Sequence, residues 1–195
     1  NSEGLFGGDP DIAIVTNAGS VDITGVELEL RAVPWENGFV TLDLGYLDSK
    51  YGSFDTFDSS APGGGALIDQ SQLTIADFSP KWTVSASVEH QIVLGNGATL
   101  TPQLGLYYQT EYDFIGGLDS TTNEKSFCAQ DAYSKLRARA TYRPAIGTWQ
   151  ASLFGSNITD ERYLEWCGNG RSGSYYSRFG QPTTWGIEFS YDWSS

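Results

Sequence analysis

Hydrophobic and polar residues alternate along most of this chain, and the alternation is clearest near its C-terminus. In the stretch TTWGIEFSYDW every second position is bulky and apolar: Trp185, Ile187, Phe189, Tyr191 and Trp193. The residues between them are small, polar or acidic. Because successive side chains of a strand point to opposite faces, this pattern predicts a strand with one apolar face and one polar face.

Seven segments show this period of two, and no convincing amphipathic helix lies between them. They are residues 12–33, 39–51, 80–93, 98–112, 131–143, 148–156 and 183–193. In the first segment, Gly19 and Gly25 favour bulges within one long strand. If the NAGS sequence at 17–20 is instead a tight turn, the chain has eight strands.

The connections between these segments alternate in length. They are short at 34–38, 94–97 and 144–147, and long at 52–79, 113–130 and 158–181. Short turns at one end and long loops at the other are typical of outer-membrane barrels, whose strands cross the bilayer in about 9–11 residues. We therefore expect an all-β fold, an antiparallel transmembrane β-barrel segment. A soluble β-sandwich is the alternative, but its strands are usually shorter, at about 5–6 residues.

The two faces of the predicted strands suit lipid and water. Aromatic residues near strand ends, such as Trp82, Tyr108 and Trp149, predict interfacial girdles on the apolar face. The polar face carries charges of both signs, which we interpret as ion pairs between neighbouring strands. Segment 131–143 also permits a second interpretation, guidance of an anionic ligand, because its polar face is cationic. The cations are Lys135, Arg137, Arg139 and Arg143.

Composition agrees with a membrane barrel and narrows the function. Only 39% of the residues are hydrophobic, as expected when alternate positions meet lipid. The net charge of −13 argues against nucleic acid as a partner. We do not expect an enzyme, because no catalytic constellation is evident and the single histidine, His90, cannot form a histidine cluster. Asp9 and Asp11 are weak support for a structural calcium ion, and no other cofactor or metal is expected.

The two cysteines, Cys128 and Cys167, both fall in long loops at the same end of the predicted sheet. Cysteines of an exported chain that lie on one side of the molecule are expected to pair. Closing a loop of about 40 residues stabilises a fold by at most about 4 kcal/mol on the chain-entropy model. We therefore predict a disulfide between them.

Four stretches resemble the C-terminal part of TonB-dependent outer-membrane receptors: NAGSVDITGVELELRAVP, SPKWTVSASVEH, NITDERY and FGQPTTWGIEFSYDW. The positions that match the family's motifs are Asn17, Gly25, Glu27, Asn157, Asp160, Tyr163, Gly180, Pro182, Trp185 and Trp193. The resemblance runs from about residue 12 onward and keeps the motifs in order. One departure is the closing aromatic residue, which is Trp193 where phenylalanine is more usual.

The resemblance implies active uptake across the bacterial outer membrane, driven by TonB acting on a plug domain. The ligand would be a metal chelate such as a siderophore, a vitamin or a saccharide. Residues 1–195 would be the C-terminal part of a 22-stranded barrel, with 1–11 in an extracellular loop and 12–193 forming strands and loops. The plug and the remaining strands are expected in a second chain or another region, with lipid and lipopolysaccharide around the barrel.

The alternative function is that of a small closed outer-membrane barrel with a structural, adhesive or passive-pore role. In that case the strand near Ile12 pairs with the strand near Trp185. In a receptor, by contrast, the long loops are expected to contact the ligand, because their aromatic rings can stack on a sugar or an aromatic chelate. The alternative for each of these loop residues is packing within the loops. The candidates are Tyr112, Asp113, Phe114, Tyr163, Trp166, Arg171, Tyr175 and Tyr176.

The last strand carries one further expectation from the resemblance. Its apolar face is similar to the terminal signal by which barrel-assembly machinery recognises its clients. The residues concerned are Trp185, Ile187, Phe189, Tyr191 and Trp193.

Overall fold

The computed structural model describes residues 20–53, 55–58, 66–69, 79–114, 127–169 and 174–193, and these residues form strands and connections without a helix. The strands are β1 (Ser20–Ala32), β2 (Gly38–Ser53), β3 (Asp55–Asp58), β4 (Ala66–Asp69), β5 (Trp82–His90), β6 (Ile92–Val93), β7 (Thr99–Gln109), β8 (Tyr112–Asp113), β9 (Ala129–Gln130), β10 (Tyr133–Arg143), β11 (Trp149–Ser156), β12 (Leu164–Asn169), β13 (Tyr175–Phe179) and β14 (Thr184–Tyr191). The described part therefore has no helix long and apolar enough to cross a membrane.

One antiparallel sheet contains all seven of the predicted strands, in the order β1-β2-β5-β7-β10-β11-β14. Each strand pairs with the next long strand along the chain, so the sheet is a meander. The all-β, antiparallel prediction is confirmed. Within the described residues β1 pairs only with β2, and β14 only with β11, so the sheet is not closed. Residues 12–19 lie outside the described residues. The alternative of a tight turn at NAGS, which would give an eighth strand, therefore stays a prediction.

Two predicted segments are divided in the structure. Segment 80–93 becomes β5 and β6, because Gln91 leaves the ladder and its backbone N–H donates to Asn37 O at 2.8 Å. Segment 98–112 becomes β7 and β8, because Tyr112 and Asp113 pair with β9 away from the main sheet. The long connections also hold short two-stranded sheets, β3-β4, β8-β9 and β12-β13, which the hydrophobic pattern did not predict.

The register places polar side chains opposite one another on one face. Arg31 on β1 faces Thr41 on β2, and its Nη1 binds Asp43 Oδ1 at 2.7 Å. Farther along the sheet, Arg139 Nη2 binds Glu188 Oε1 at 2.6 Å, across β11. The Arg31–Asp43 pair fits the predicted ion pairs between neighbouring strands, whereas the Arg139–Glu188 pair spans an intervening strand. They are solvent-accessible, so each contributes little stability, about 0–1 kcal/mol.

The opposite face of the sheet is apolar and exposed. Trp185 lies across Gly155 of the neighbouring strand, where any Cβ would meet its ring at 2.5 Å. Ile187 is 81% exposed, and Phe189 beside it stacks on Trp149 at 5.7 Å. An exposed apolar face of this extent, with aromatic residues at the strand ends, suits contact with lipid. The buried aromatic residues and cysteines lie instead at the loop end of the sheet: Phe114, Cys128, Tyr133, Tyr163 and Cys167.

Candidate ligand-binding region at the loop end

The NITDERY stretch, residues 157–163, joins β11 to β12, and its hydrogen bonds reach the residues just before β14. Asn157 has a φ of 48°, a conformation that asparagine tolerates better than most residues. Its Nδ2 donates to Glu161 O at 2.9 Å and to Gln181 O at 3.0 Å, and its Oδ1 accepts from Glu161 N at 3.0 Å. Asp160 Oδ1 accepts from Thr183 N at 3.0 Å. The motif thus fixes the path by which the chain enters the last strand.

Tyr163, the last residue of the motif, is held against the same segment. Gly180 N donates to Tyr163 O at 2.8 Å. The phenol ring lies directly over Gly180, so that a Cβ at this position would collide with the ring. Glycine is therefore required here for close approach, and the ring is fixed at the loop end of the polar face, where it is 9% exposed.

A disulfide between Cys128 and Cys167 links two of the small sheets, β8-β9 and β12-β13. Phe114, which is 6% exposed, forms a small core with the two cysteines, and Tyr112 and Leu164 pack against it. Gln130 Oε1 also accepts from Leu164 N at 2.5 Å. Burial raises the pKa of the Tyr112 phenol. The disulfide prediction is confirmed, and the bridge is the centre of a small packed unit above the sheet.

Below this unit, three tyrosines surround the ammonium of Lys135 on the polar face. The Lys135 Nζ lies 4.2 Å from the ring centroid of Tyr163, 5.3 Å from that of Tyr107 and 5.6 Å from that of Tyr133. Tyr133 and Tyr163 stack with centroids 4.8 Å apart. We call Tyr107, Tyr133, Tyr163 and Lys135 the tyrosine–lysine cluster. It adjoins a cavity of about 380 Å³, lined in addition by Arg137, Ser156 and Asn157 among others.

Exposed aromatic rings lie around the disulfide unit. Phe127, next to Cys128, lies with its ring centroid 5.1 Å from that of Tyr175 on β13. Trp166 and Tyr176 are also exposed, Tyr176 to 59%. Arg178 Nε binds Glu165 Oε2 at 3.3 Å in the same hairpin. We call Phe127, Trp166, Tyr175 and Tyr176 the exposed aromatic group.

The sequence matches a family model described as TonB dependent receptor-like, beta-barrel, over residues 2–158. This chain belongs to the TonB-dependent receptor family. The fold agrees with a solved structure, the ferric yersiniabactin uptake receptor FyuA from Yersinia pestis, with a TM-score of 0.63 at 20% sequence identity. The similarity covers 89% of this chain and 24% of the receptor, so the chain spans about a quarter of that protein's length.

TonB-dependent receptors are receptors and transporters of the outer membrane rather than a family of enzymes. The structure of this member is therefore a segment of a receptor barrel, as predicted. Within the described residues, no group of three or more side chains is arranged to hold a metal ion. Asp9 and Asp11, the weak calcium candidates, lie outside those residues.

The structure divides the predicted ligand-binding residues of this receptor segment into two groups. Asp113, Phe114 and Tyr163 are buried and Tyr112 is half-buried; Phe114 packs against the disulfide, whereas Tyr163 contacts Gly180 and the side chains of β10. Trp166, Tyr175 and Tyr176 are exposed. Arg171 lies outside the described residues. Ligand binding by all of them stays a prediction.

Three residues of this region were missed in the sequence. Phe127 precedes Cys128, and that position beside a loop cysteine was the available signal. Tyr107 and Tyr133 lie on the polar face of their strands, Tyr107 in register with Lys135. An aromatic residue at a polar-face position of a strand is unusual, and this could have identified Tyr107 and Tyr133 from the sequence.

The predicted assembly signal lies on the edge strand. Trp185, Ile187, Phe189 and Tyr191 alternate along β14, and Trp193 follows it, 85% exposed. The ring of Trp193 meets that of Tyr191 edge-on, with centroids 4.7 Å apart. The alternation is confirmed, and recognition by assembly machinery stays a prediction.

Proposed function

We propose that this chain forms the C-terminal part of the barrel wall of an outer-membrane receptor that takes up a ligand by TonB-driven transport. The observation that carries the proposal is the sheet itself: seven strands in sequence order, a polar face, an apolar face, and an unpaired edge at both β1 and β14 within the described residues. Membership of the receptor family supports it.

The open edges determine what the chain needs as a partner. Backbone N–H and C=O groups at a lipid-exposed edge have no water to bind, and each unsatisfied group costs several kcal/mol. Further strands must therefore pair with β1 and β14, and we propose that they come from a second chain or another region that also carries the plug, completing a barrel of 22 strands. Transport then follows from movement of the plug by TonB and requires no covalent step.

The exposed aromatic group is the part of this chain that we propose meets the ligand first. Four aromatic rings on a disulfide-braced platform present apolar area with little conformational freedom to lose, which favours stacking on a planar ligand. FyuA is named as a receptor for ferric yersiniabactin. By that likeness we propose a metal chelate as the ligand of this chain's receptor.

The test is purification of the chain from the outer membrane in mild detergent. The proposal predicts co-purification with the plug and the remaining strands, in a barrel whose gel mobility changes on boiling. A closed, detergent-soluble monomer of this chain alone would contradict it and would support the small closed barrel.

Assembly provides a second test, of the C-terminal signal. Trp193→Ala should reduce the amount of heat-modifiable barrel in the membrane, whereas Ile146→Ala, at a site 90% exposed in a short turn, should not. Equal amounts of heat-modifiable barrel in the two variants would show that Trp193 is not part of the assembly signal.

A further inference from the structure

The cations of β10 differ in what they contact. Arg139 binds Glu188, and Arg143 Nη2 donates to Gln150 Oε1 at 2.8 Å. Among the described residues Arg137 has no hydrogen bond or ion pair, and the interactions of the Lys135 ammonium are with tyrosine rings. Two of the four cations thus lack a carboxylate partner among the described residues, although the net charge of the chain is −13.

The residues around Arg137 leave open space beside it. In the register of the sheet Arg137 faces Gly105 on β7 and Ser156 on β11. Gly105 has no side chain, and the Arg137 side chain lies across its backbone, with Cγ at 2.8 Å from where a Cβ would be. On the other side the small Ser156 helps to line the cavity of about 380 Å³ that Arg137 and Lys135 also line.

The cavity has the chemistry of an anion site. Lys135 and Arg137 are two residues apart on one face of a strand, so their Cα atoms are about 7 Å apart. The described lining residues include no aspartate or glutamate. The hydroxyls of Ser85 and Ser156 are available as further hydrogen-bond donors. A volume of this size is within the range of small-molecule pockets, about 300–1,000 Å³.

We propose that this cavity is a binding site on the polar wall for a small carboxylate. Arg137 provides a two-pronged donor for the anionic oxygens, and Lys135 adds a second positive charge. The inference deepens the proposed function, on which it rests: it gives the chemical class of ligand that the inner wall of the receptor recognises after the loops.

The test uses benzoate as the probe, with benzamide as its neutral counterpart of the same shape. Binding is measured by saturation-transfer difference NMR on the receptor purified in detergent with its native partner strands. The wild-type receptor should bind benzoate, and benzamide at least tenfold more weakly. Arg137→Gln and Lys135→Gln should each weaken benzoate binding about tenfold, since each removes a charge-assisted contact.

Two further variants test whether benzoate binding depends on the cations that line the cavity or on the total positive charge of the polar face. Arg143→Gln removes a cation from the same strand face but outside the cavity lining, and should leave the benzoate affinity unchanged. Gly105→Ala keeps every charge but forces the Arg137 side chain away from the β7 backbone, and should weaken benzoate binding.

Three results would overturn the proposal: no benzoate binding by the wild-type receptor, equal binding of benzamide, or equal affinity in Arg137→Gln and Arg143→Gln. The first includes the case in which a carboxylate of the plug occupies the cavity. Heat-modifiable gel mobility is recorded for every sample. A correctly assembled receptor with unaltered benzoate binding in the variants rejects the anion site alone, whereas a chain that purifies as a closed monomer rejects the receptor.

Discussion

The two ends of the main sheet are held in different ways. At the short-turn end the contacts are mostly local: Asn96 Oδ1 accepts from Ala98 N at 3.0 Å, and Gly97 N donates to Leu94 O at 2.8 Å. At the loop end the partners are distant in sequence. Asn157 reaches Gln181, and the two bridged cysteines are 39 residues apart.

This difference indicates how each end forms. A tight turn with local hydrogen bonds can form as soon as its own residues meet. The loop end requires β10, β11 and β14 to be in place before Asn157, Tyr163 and the disulfide find their partners. The polar groups at the loop end are also more buried, as at Asn157, so changes there should cost more stability than similar changes at the short-turn end. The candidate ligand-binding residues lie at the loop end, whose contacts form only after strands distant in sequence have paired.

The largest effect is expected from loss of the disulfide. Replacing both cysteines, Cys128→Ser with Cys167→Ser, should lower the local unfolding free energy of the loop unit by up to about 4 kcal/mol, since the bridge restrains about 40 residues. Hydrogen exchange of the Phe114 and Leu164 amides, both hydrogen-bonded within this unit, reports the change. Reduction of the wild-type bridge should reproduce it. Unchanged exchange at both amides would show that the loop unit does not depend on the bridge.

A matched pair of asparagines compares the two ends directly. Asn157→Ala removes three side-chain hydrogen bonds from a site that is 5% exposed. At about 1 kcal/mol each, it should destabilise the assembled barrel by about 3 kcal/mol in urea unfolding. Asn96→Ala removes one, from an exposed turn, and should cost about 1 kcal/mol or less. Equal losses of unfolding free energy in Asn157→Ala and Asn96→Ala would contradict the claim that the loop end contributes more stability than the short-turn end.

The same contrast explains what the sequence could predict. Alternation along single segments, such as Trp185 to Trp193, depends only on which residues face one side, so the seven long strands were recognisable. The small sheets of the loops bring together residues far apart, such as Tyr112 with Gln130. Their pairing depends on the finished fold, and two-residue strands are too short to show a period.

The candidate site was predicted only in part for a similar reason. The cations of β10 and the loop aromatics were recognisable by residue type. Which of them are exposed depends on packing: Phe114 is covered by the disulfide, whereas Tyr176, at a comparable loop position, is not. That Arg137 has no ion pair within the described part of the chain follows from its neighbours Gly105 and Ser156, and therefore from the register between strands.

The two ends of the sheet also differ in how much space surrounds a glycine. At Gly180 an added methyl group collides with the Tyr163 ring, whereas at Gly95 nothing lies within 4 Å. Gly180→Ala should destabilise the barrel by about 2 kcal/mol and displace Tyr163 from its stack on Tyr133. Gly95→Ala should change stability by less than about 0.5 kcal/mol. In a double-mutant cycle Tyr163→Ala should relieve part of the Gly180→Ala cost, and strict additivity would contradict the clash.

The smallest predicted loss of stability concerns a long-range hydrogen bond at the short-turn end, where most contacts are local. At the short-turn end Trp35 Nε1 donates to His90 Nδ1 at 3.2 Å, although the two residues are 55 positions apart. Trp35→Phe keeps a ring over Gly38 but loses this bond, and should cost about 1 kcal/mol. Trp149→Phe is the control, because the Trp149 indole makes ring contacts but no hydrogen bond with the described residues.

Urea unfolding of the assembled barrel measures both tryptophan variants. A Trp35→Phe cost close to that of Asn157→Ala would mean that one long-range bond stabilises the short-turn end as strongly as the motif stabilises the loop end. Sequence distance between partners would then explain stability better than position in the sheet. A cost near 1 kcal/mol, the ordinary value for a single partly exposed hydrogen bond, keeps the distinction, because the loop end gains from several such bonds made together around buried groups.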